Sequence, residues 1–195
     1  AEESEASWGD LLAQLNERGL AGVQLVIADA HAGLAKAVRH HLPEAPLQRC
    51  CVHLQRNIVG KAPQKLRARL AKAVWQVFLA PSKTEARKRM TELAAGLGRQ
   101  LPESMACLDA GFEAATRFYA FPKAHWHRIR STNGLERLHG EIKRRTNAVG
   151  AFPDRGSALR LVTAVALNVT AIWTDRRYLD MSLLKSKEVV VAKAA

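Results

Sequence analysis

Asp29 and Glu136 stand in unlike surroundings that suit one chemistry. Asp29 closes the apolar run Val23-Gln24-Leu25-Val26-Ile27-Ala28, and Glu136 lies near the start of a basic stretch running from Asn133 to Arg145. An acid at the carboxyl end of a buried strand and an acid on a cation-flanked helix can together hold a divalent metal against a phosphodiester. Arg128, Arg130, Arg137, Lys143, Arg144 and Arg145 surround Glu136 in sequence, and such cations contact phosphates. Each acid also has an ordinary structural reading. Asp29 is a good N-cap for a helix starting near His31, and Glu136 forms a capping box if Asn133 is the cap.

Other residues capable of chemistry are fewer. Cys50 and His53 form a Cys-x-x-His spacing, and His125 and His127 add two imidazoles. Zinc takes about four ligands in tetrahedral geometry, and no second Cys-x-x-Cys or His-x-x-x-His pair accompanies the first. A buried thiol and a satisfied imidazole therefore stand beside a zinc-stabilised joint as readings of this motif. Trp75 and Trp173 fall on apolar helical faces, whereas Trp126 sits among His125, His127, Arg128 and Arg130. Stacking on an unpaired base is the functional reading of Trp126, and core packing is the ordinary one.

These residues need elements to position them. Trp8, Leu11, Leu12, Leu15 and Leu20 recur at helical spacing over residues 5–19, with Gly19 as a stop. Residues 23–28 are apolar on both faces, as in a covered strand of a mostly parallel sheet. His31 to His41 reads as a helix ended by Pro43 and Pro46, and Leu47 to Cys51 as a second short strand. From about residue 53 the period is helical throughout. Leu66, Leu70, Val74, Val77 and Phe78 share one face, and further helices are expected at 83–97 and 103–118. Pro122 marks a boundary. Helices follow at 133–146, where Leu135, Leu138 and Ile142 form the apolar stripe, and at 155–177, where Leu159, Val162, Val165, Val169, Ile172 and Trp173 share a face. The fold class is α/β and mostly helical. Residues 1–52 read as a partial core of helix-strand-helix-strand, 53–125 as an all-helical insertion, 126–178 as core helices carrying Glu136, and 179–195 as a loosely held tail.

Composition limits the function classes. The chain has 195 residues, of which 48% are hydrophobic and 25% charged, enough for one globular core. Its 30 Lys and Arg against 18 Asp and Glu give a net charge of +12. A polyanionic partner, with DNA as the default, follows from that excess, the alternative being a merely solvated basic surface. Three cysteines, two of them adjacent, make a poor disulfide framework, which fits a reducing cytoplasm. No segment approaches the roughly 20 apolar residues of a membrane span.

The quoted motifs, together with Gln48-Arg49-Cys50-Cys51-Val52-His53, Phe121-Pro122-Lys123-Ala124-His125-Trp126, Ser131-Thr132-Asn133-Gly134-Leu135-Glu136-Arg137-Leu138 and Gly150-Ala151-Phe152-Pro153, closely resemble Mutator-type transposases of bacterial insertion sequences. The similarity runs from about Glu5 to Tyr178. The resemblance implies a ribonuclease H-like catalytic fold interrupted by an all-α insertion and carrying an Asp-Asp-Glu triad. By motif, Asp29 matches the second Asp and Glu136 the Glu, and Cys50 with His53 matches the family's Cys-x-x-His signature. It further implies two Mg²⁺ ions held by the triad for strand cleavage and strand transfer at element ends and target DNA. The family's first Asp lies on a strand upstream of these residues, and Asp10, in a helical pattern, does not replace it. The expectation is a C-terminal portion of a transposase that is inactive alone and prone to self-association through the open edge of the Asp29 strand. A non-catalytic DNA-binding or transposase-inhibiting module is the alternative.

Overall fold

The computed structural model describes residues 4–175 and 179–184. The chain forms two compact units, one ending at Ser131 and the other beginning at Thr132. The element types agree with the α/β, mostly helical reading.

The first unit opens with helix α1 (Glu5–Glu17), started by a reciprocal cap in which Ser4 Oγ accepts from Ser7 N at 3.1 Å and Ser7 Oγ accepts from Ser4 N at 3.0 Å. It ends before Gly19, whose φ of +93° suits a residue without Cβ. Strand β1 (Val26–Ala28) leads to helix α2 (Ala32–His41), strand β2 (Leu47–Arg49) and helix α3 (Cys51–Gly60). The helical series continues with α4 (Gln64–Phe78), α5 (Lys83–Leu97) and α6 (Pro102–Ala115), then two 3₁₀ turns and the short helix α7 (Trp126–Ile129).

The strands are shorter than the sequence suggests. Only Val26 to Ala28 pair, in parallel with Leu47 to Arg49, and Val23 to Leu25 precede the strand as irregular chain. Val26 and Ile27 are only half-buried, so full cover on both faces is not met among the described residues. Helix α1 packs on α2 through Trp8, Leu12, Leu15, Leu34, Ala37 and Val38. The two helices come so close at Gly33 that a Cβ there would lie 2.8 Å from the Glu5 backbone nitrogen.

Helices α3, α4 and α6 build a core of their own. Leu54 and Ile58 of α3, Leu70, Val74, Val77 and Phe78 of α4, and Leu108 and Phe112 of α6 are all essentially inaccessible, and each such side chain contributes about 1.5–3 kcal/mol by leaving water. Two polar links tie it down. Buried Ser104 Oγ donates to Ile58 O at 3.0 Å, joining the start of α6 to the end of α3. Buried Gln48 of β2 donates to Ala115 O at 2.7 Å and accepts from Phe118 N at 2.9 Å, fastening the strand to the end of α6.

The second unit contains α8 (Asn133–Val149) and α9 (Arg155–Asp175), which pack on each other. Asp154 starts α9, with Oδ1 accepting from Ser157 N at 2.7 Å and Oδ2 from Ser157 Oγ at 2.8 Å. Those bonds hold its carboxyl below the usual carboxylate range. The α8 stripe is weaker than its spacing suggests: no residue of α8 is buried, and Leu135 is 50% exposed. On α9, Val162, Val165 and Val169 are half-buried while Leu159 stays exposed. The side chains of Ile172 and Trp173, and residues 185–195 of the expected tail, lie outside the described residues.

Candidate active site and nucleic-acid interface

Parallel pairing brings two carboxyl ends of strand to the same edge, where ligands approach open α/β sheets. Beyond β2, Cys50 N donates to Ala28 O at 2.7 Å, so the pairing extends one residue past the strand and sets Asp29 beside the first turn of α3. His53 lies in that turn, and its Nδ1 is 4.0 Å from Asp29 Oδ2. The structure thus brings Asp29, Cys50 and His53 together within the first unit.

The capping reading of Asp29 fails. His31 is the N-cap of α2, with its Nδ1 accepting from Leu34 N at 3.2 Å. Asp29 Oδ1 instead accepts from the adjacent Ala30 N at 2.7 Å, and the side chain remains 51% exposed. A carboxylate with one oxygen held by the backbone and the other turned to an imidazole is a fixed, accessible oxygen donor. Beside it opens a cavity of about 290 Å³ lined by Asp29, His31, Ala35, Leu47, Arg49 and Ala114. Arg49, which spacing alone does not single out, has a buried Nε that lacks a hydrogen-bond partner among the described residues.

Cys50 and Cys51 are both buried at the start of α3. Cys51 Sγ donates to Ala115 O at 3.2 Å, and burial, with Cys50 adding to it, raises its thiol far above the ordinary range. It is a packing thiol, not a nucleophile. His125 is buried and His127 exposed. Trp126 donates its indole N–H to Phe121 O at 2.8 Å and meets Tyr119 edge-on at 4.7 Å and Phe118 at 5.8 Å between centroids. Its half-buried ring packs in an aromatic cluster with Tyr119 and Phe118, in line with the core-packing reading.

Glu136 sits in the first turn of α8. The expected capping box with Asn133 does not form: Thr132 is the N-cap, and Glu136 Oε1 accepts from Thr132 Oγ1 at 2.8 Å. Asn133, Glu136, Arg137, Gly140 and Glu141 line a concavity along α8. Arg137, which lines it, and Lys143 and Arg145 further along α8 are exposed. Arg144 donates to Glu141 at 2.7 Å, an exchange that lowers the Glu141 pKa and raises that of Arg144. Arg128 is half-buried, and Arg130 lies with its guanidinium 5.2 Å over the Trp75 ring while its carbonyl accepts from Cys51 N.

Residues 1–176 match the family model described as transposase, Mutator family. This chain belongs to the Mutator family of transposases. Its relatives include the transposase for insertion sequence element ISRM5 of Rhizobium meliloti, 37% identical over 99% of this chain and 49% of the relative. The transposase for IS406 of Burkholderia multivorans is 37% identical over 92% of this chain and 47% of the relative. That for IS256 in transposon Tn4001 of Staphylococcus aureus is 37% identical over 91% and 46%. The chain spans about half the length of these curated relatives. No helix among the described residues is long and apolar enough to cross a membrane.

Proposed function

We propose that this chain contributes Asp29 and Glu136 to the catalytic site of a DDE-type insertion-sequence transposase with a ribonuclease H-like core, and that the remaining acid comes from outside these 195 residues. The observation that carries the reading is the release of Asp29 from capping: His31 starts α2, leaving a strand-end carboxylate half exposed and fixed. Carboxylate oxygens are the donors that Mg²⁺ prefers. Such ions, when bound, neutralise the phosphodiester and stabilise the leaving oxygen of an in-line displacement. Asp29 would hold its part of the metal charge from the end of β1, with the Ala30 amide orienting the carboxylate. Glu136 would add a second carboxylate, fixed by Thr132 Oγ1. Arg137, Lys143 and Arg145 would place the DNA backbone, with Arg128, Arg130 and Arg144 as further contacts. The outer edge of β1, which no strand among the described residues covers, would accept a neighbouring strand from the rest of the catalytic core or from a second copy.

Titration of the purified chain with Mn²⁺, read by its paramagnetic signal, tests the acids. Asp29→Asn and Glu136→Gln should each weaken binding at least tenfold without lowering the melting temperature, and unchanged affinity in both would sink the metal reading. Salt-sensitive DNA binding that survives both changes would favour the non-catalytic module. The chain alone should not cleave element ends with Mg²⁺. Cleavage that disappears on Asp29→Ala would show that the two acids suffice.

A further inference from the structure

Charge on the insertion is unevenly distributed. Residues 53–82 carry six Lys and Arg and no Asp or Glu. The cations of α5 that follow them are matched: Arg89 pairs with Glu85 at 3.1 Å, Lys88 with Glu92 at 4.0 Å, and Arg87 and Lys83 both with Glu113. Arg67 of α4 turns inward to close the end of α3, donating to Ala62 O at 3.0 Å and Gly60 O at 3.4 Å. Arg56, Lys61, Lys65, Arg69 and Lys72 remain. All five are exposed, and none meets a carboxylate among the described residues.

Their placement is regular. Lys65, Arg69 and Lys72 recur at i, i+4 and i+7, which puts them on one face of α4 over roughly 10 Å at 1.5 Å per residue. Leu70, Val74, Val77 and Phe78 occupy the opposite, buried face. Gln55 of α3 donates to Ala71 O at 2.7 Å, so Arg56 and Lys72, one residue beyond each, stand at the same level of the α3–α4 pair. An ordinary solvated helix intersperses acids with its cations. The charges on this face are cations alone, with no aromatic ring or amide among Lys65, Arg69 and Lys72 to read bases.

We propose that the α3–α4 face is a second DNA-contact surface, gripping the phosphates of duplex DNA irrespective of sequence, in addition to the α8 cations. The inference rests on the reading of DNA as this chain's partner. Each neutralised phosphate contributes about 0.9 to the slope of log affinity against log salt. Anisotropy titrations of a labelled duplex against the whole chain, across a salt series, should therefore show the slope of Lys65→Gln/Arg69→Gln/Lys72→Gln reduced by roughly 2.7, equally for unrelated sequences. The control Lys83→Gln/Lys88→Gln/Arg89→Gln changes net charge by the same amount and should leave the slope nearly untouched. Lys65→Arg/Lys72→Arg should bind like wild type, separating charge from fold. Equal slope losses in the triple variant and the control, or none in either, would overturn the surface while leaving DNA as partner. Failure of the wild-type chain to bind any duplex would overturn both, and tighter capture of duplex RNA by this same face would overturn the DNA assignment.

Discussion

Asp29 and His31, two residues apart, divide between them the tasks of siting a carboxylate and starting a helix. Both residue types can cap, and which one does depends on the backbone angles of each, which spacing alone does not reveal. His31→Ala should therefore destabilise the chain by about 0.5–2 kcal/mol in urea unfolding, whereas Asp29→Ala should stay within about 0.5 kcal/mol of wild type. Gln48 was even less legible, because a lone Gln in a short strand looks like an outward-facing polar residue. Its hydrogen bonds, to Arg49 O, Ala115 O and Cys51 Sγ and from Phe118 N, tie β2 to the end of α6. Gln48→Leu would leave the buried Phe118 amide unsatisfied, and a loss of about 2–4 kcal/mol is expected from calorimetry. Tyr119 offers a pH test. Burial, with Cys51 adding to it, pushes its phenol from 10.0 up to about 12. The neutral form is thus favoured by folding: its contribution is fully present below about pH 10 and is lost as pH rises through about 12. Tyr119→Phe should flatten that alkaline decline in a melting-temperature series.

At the level of elements, legibility followed length. Helices α5 and α9 begin where periodicity puts them, since three or more turns of 3.6-residue repeat carry a strong signal. Three-residue strands carry almost none, so the apolar run 23–28 overstated β1 by three residues. Helix α8 shows the converse limit: its apolar spacing is clear, yet the side chains stay partly open because spacing does not say what will cover them. Gly111 in the middle of α6 was invisible as a contact. A Cβ there would fall 2.6 Å from Leu54 Cδ1 and 3.0 Å from Arg49 Nη1, and Leu54 has no room to yield. Gly111→Ala should cost about 1–3 kcal/mol by overpacking, outweighing the roughly 1 kcal/mol that Ala gains in helix propensity. Chemical denaturation would show the sign directly.

For the molecule as a whole, the excess of cations was readable from composition, but its partition was not. Pairing with Glu85, Glu92 and Glu113 quiets α5 and leaves α3 and α4 bare, a distinction made by side-chain reach between helices and not by the count of charges. The Ser104 hydroxyl resting on the Ile58 carbonyl has a consequence for tolerance of added length. The peptide leaves α3 after Gly60 and enters α6 at Pro102, yet two residues inside each end Ile58 and Ser104 are joined by a 3.0 Å hydrogen bond. Closing a long detour is scarcely dearer in entropy than closing a short one. An insertion at the exposed Arg99–Gln100 turn between α5 and α6 should consequently leave the strand ends that carry Asp29 in register.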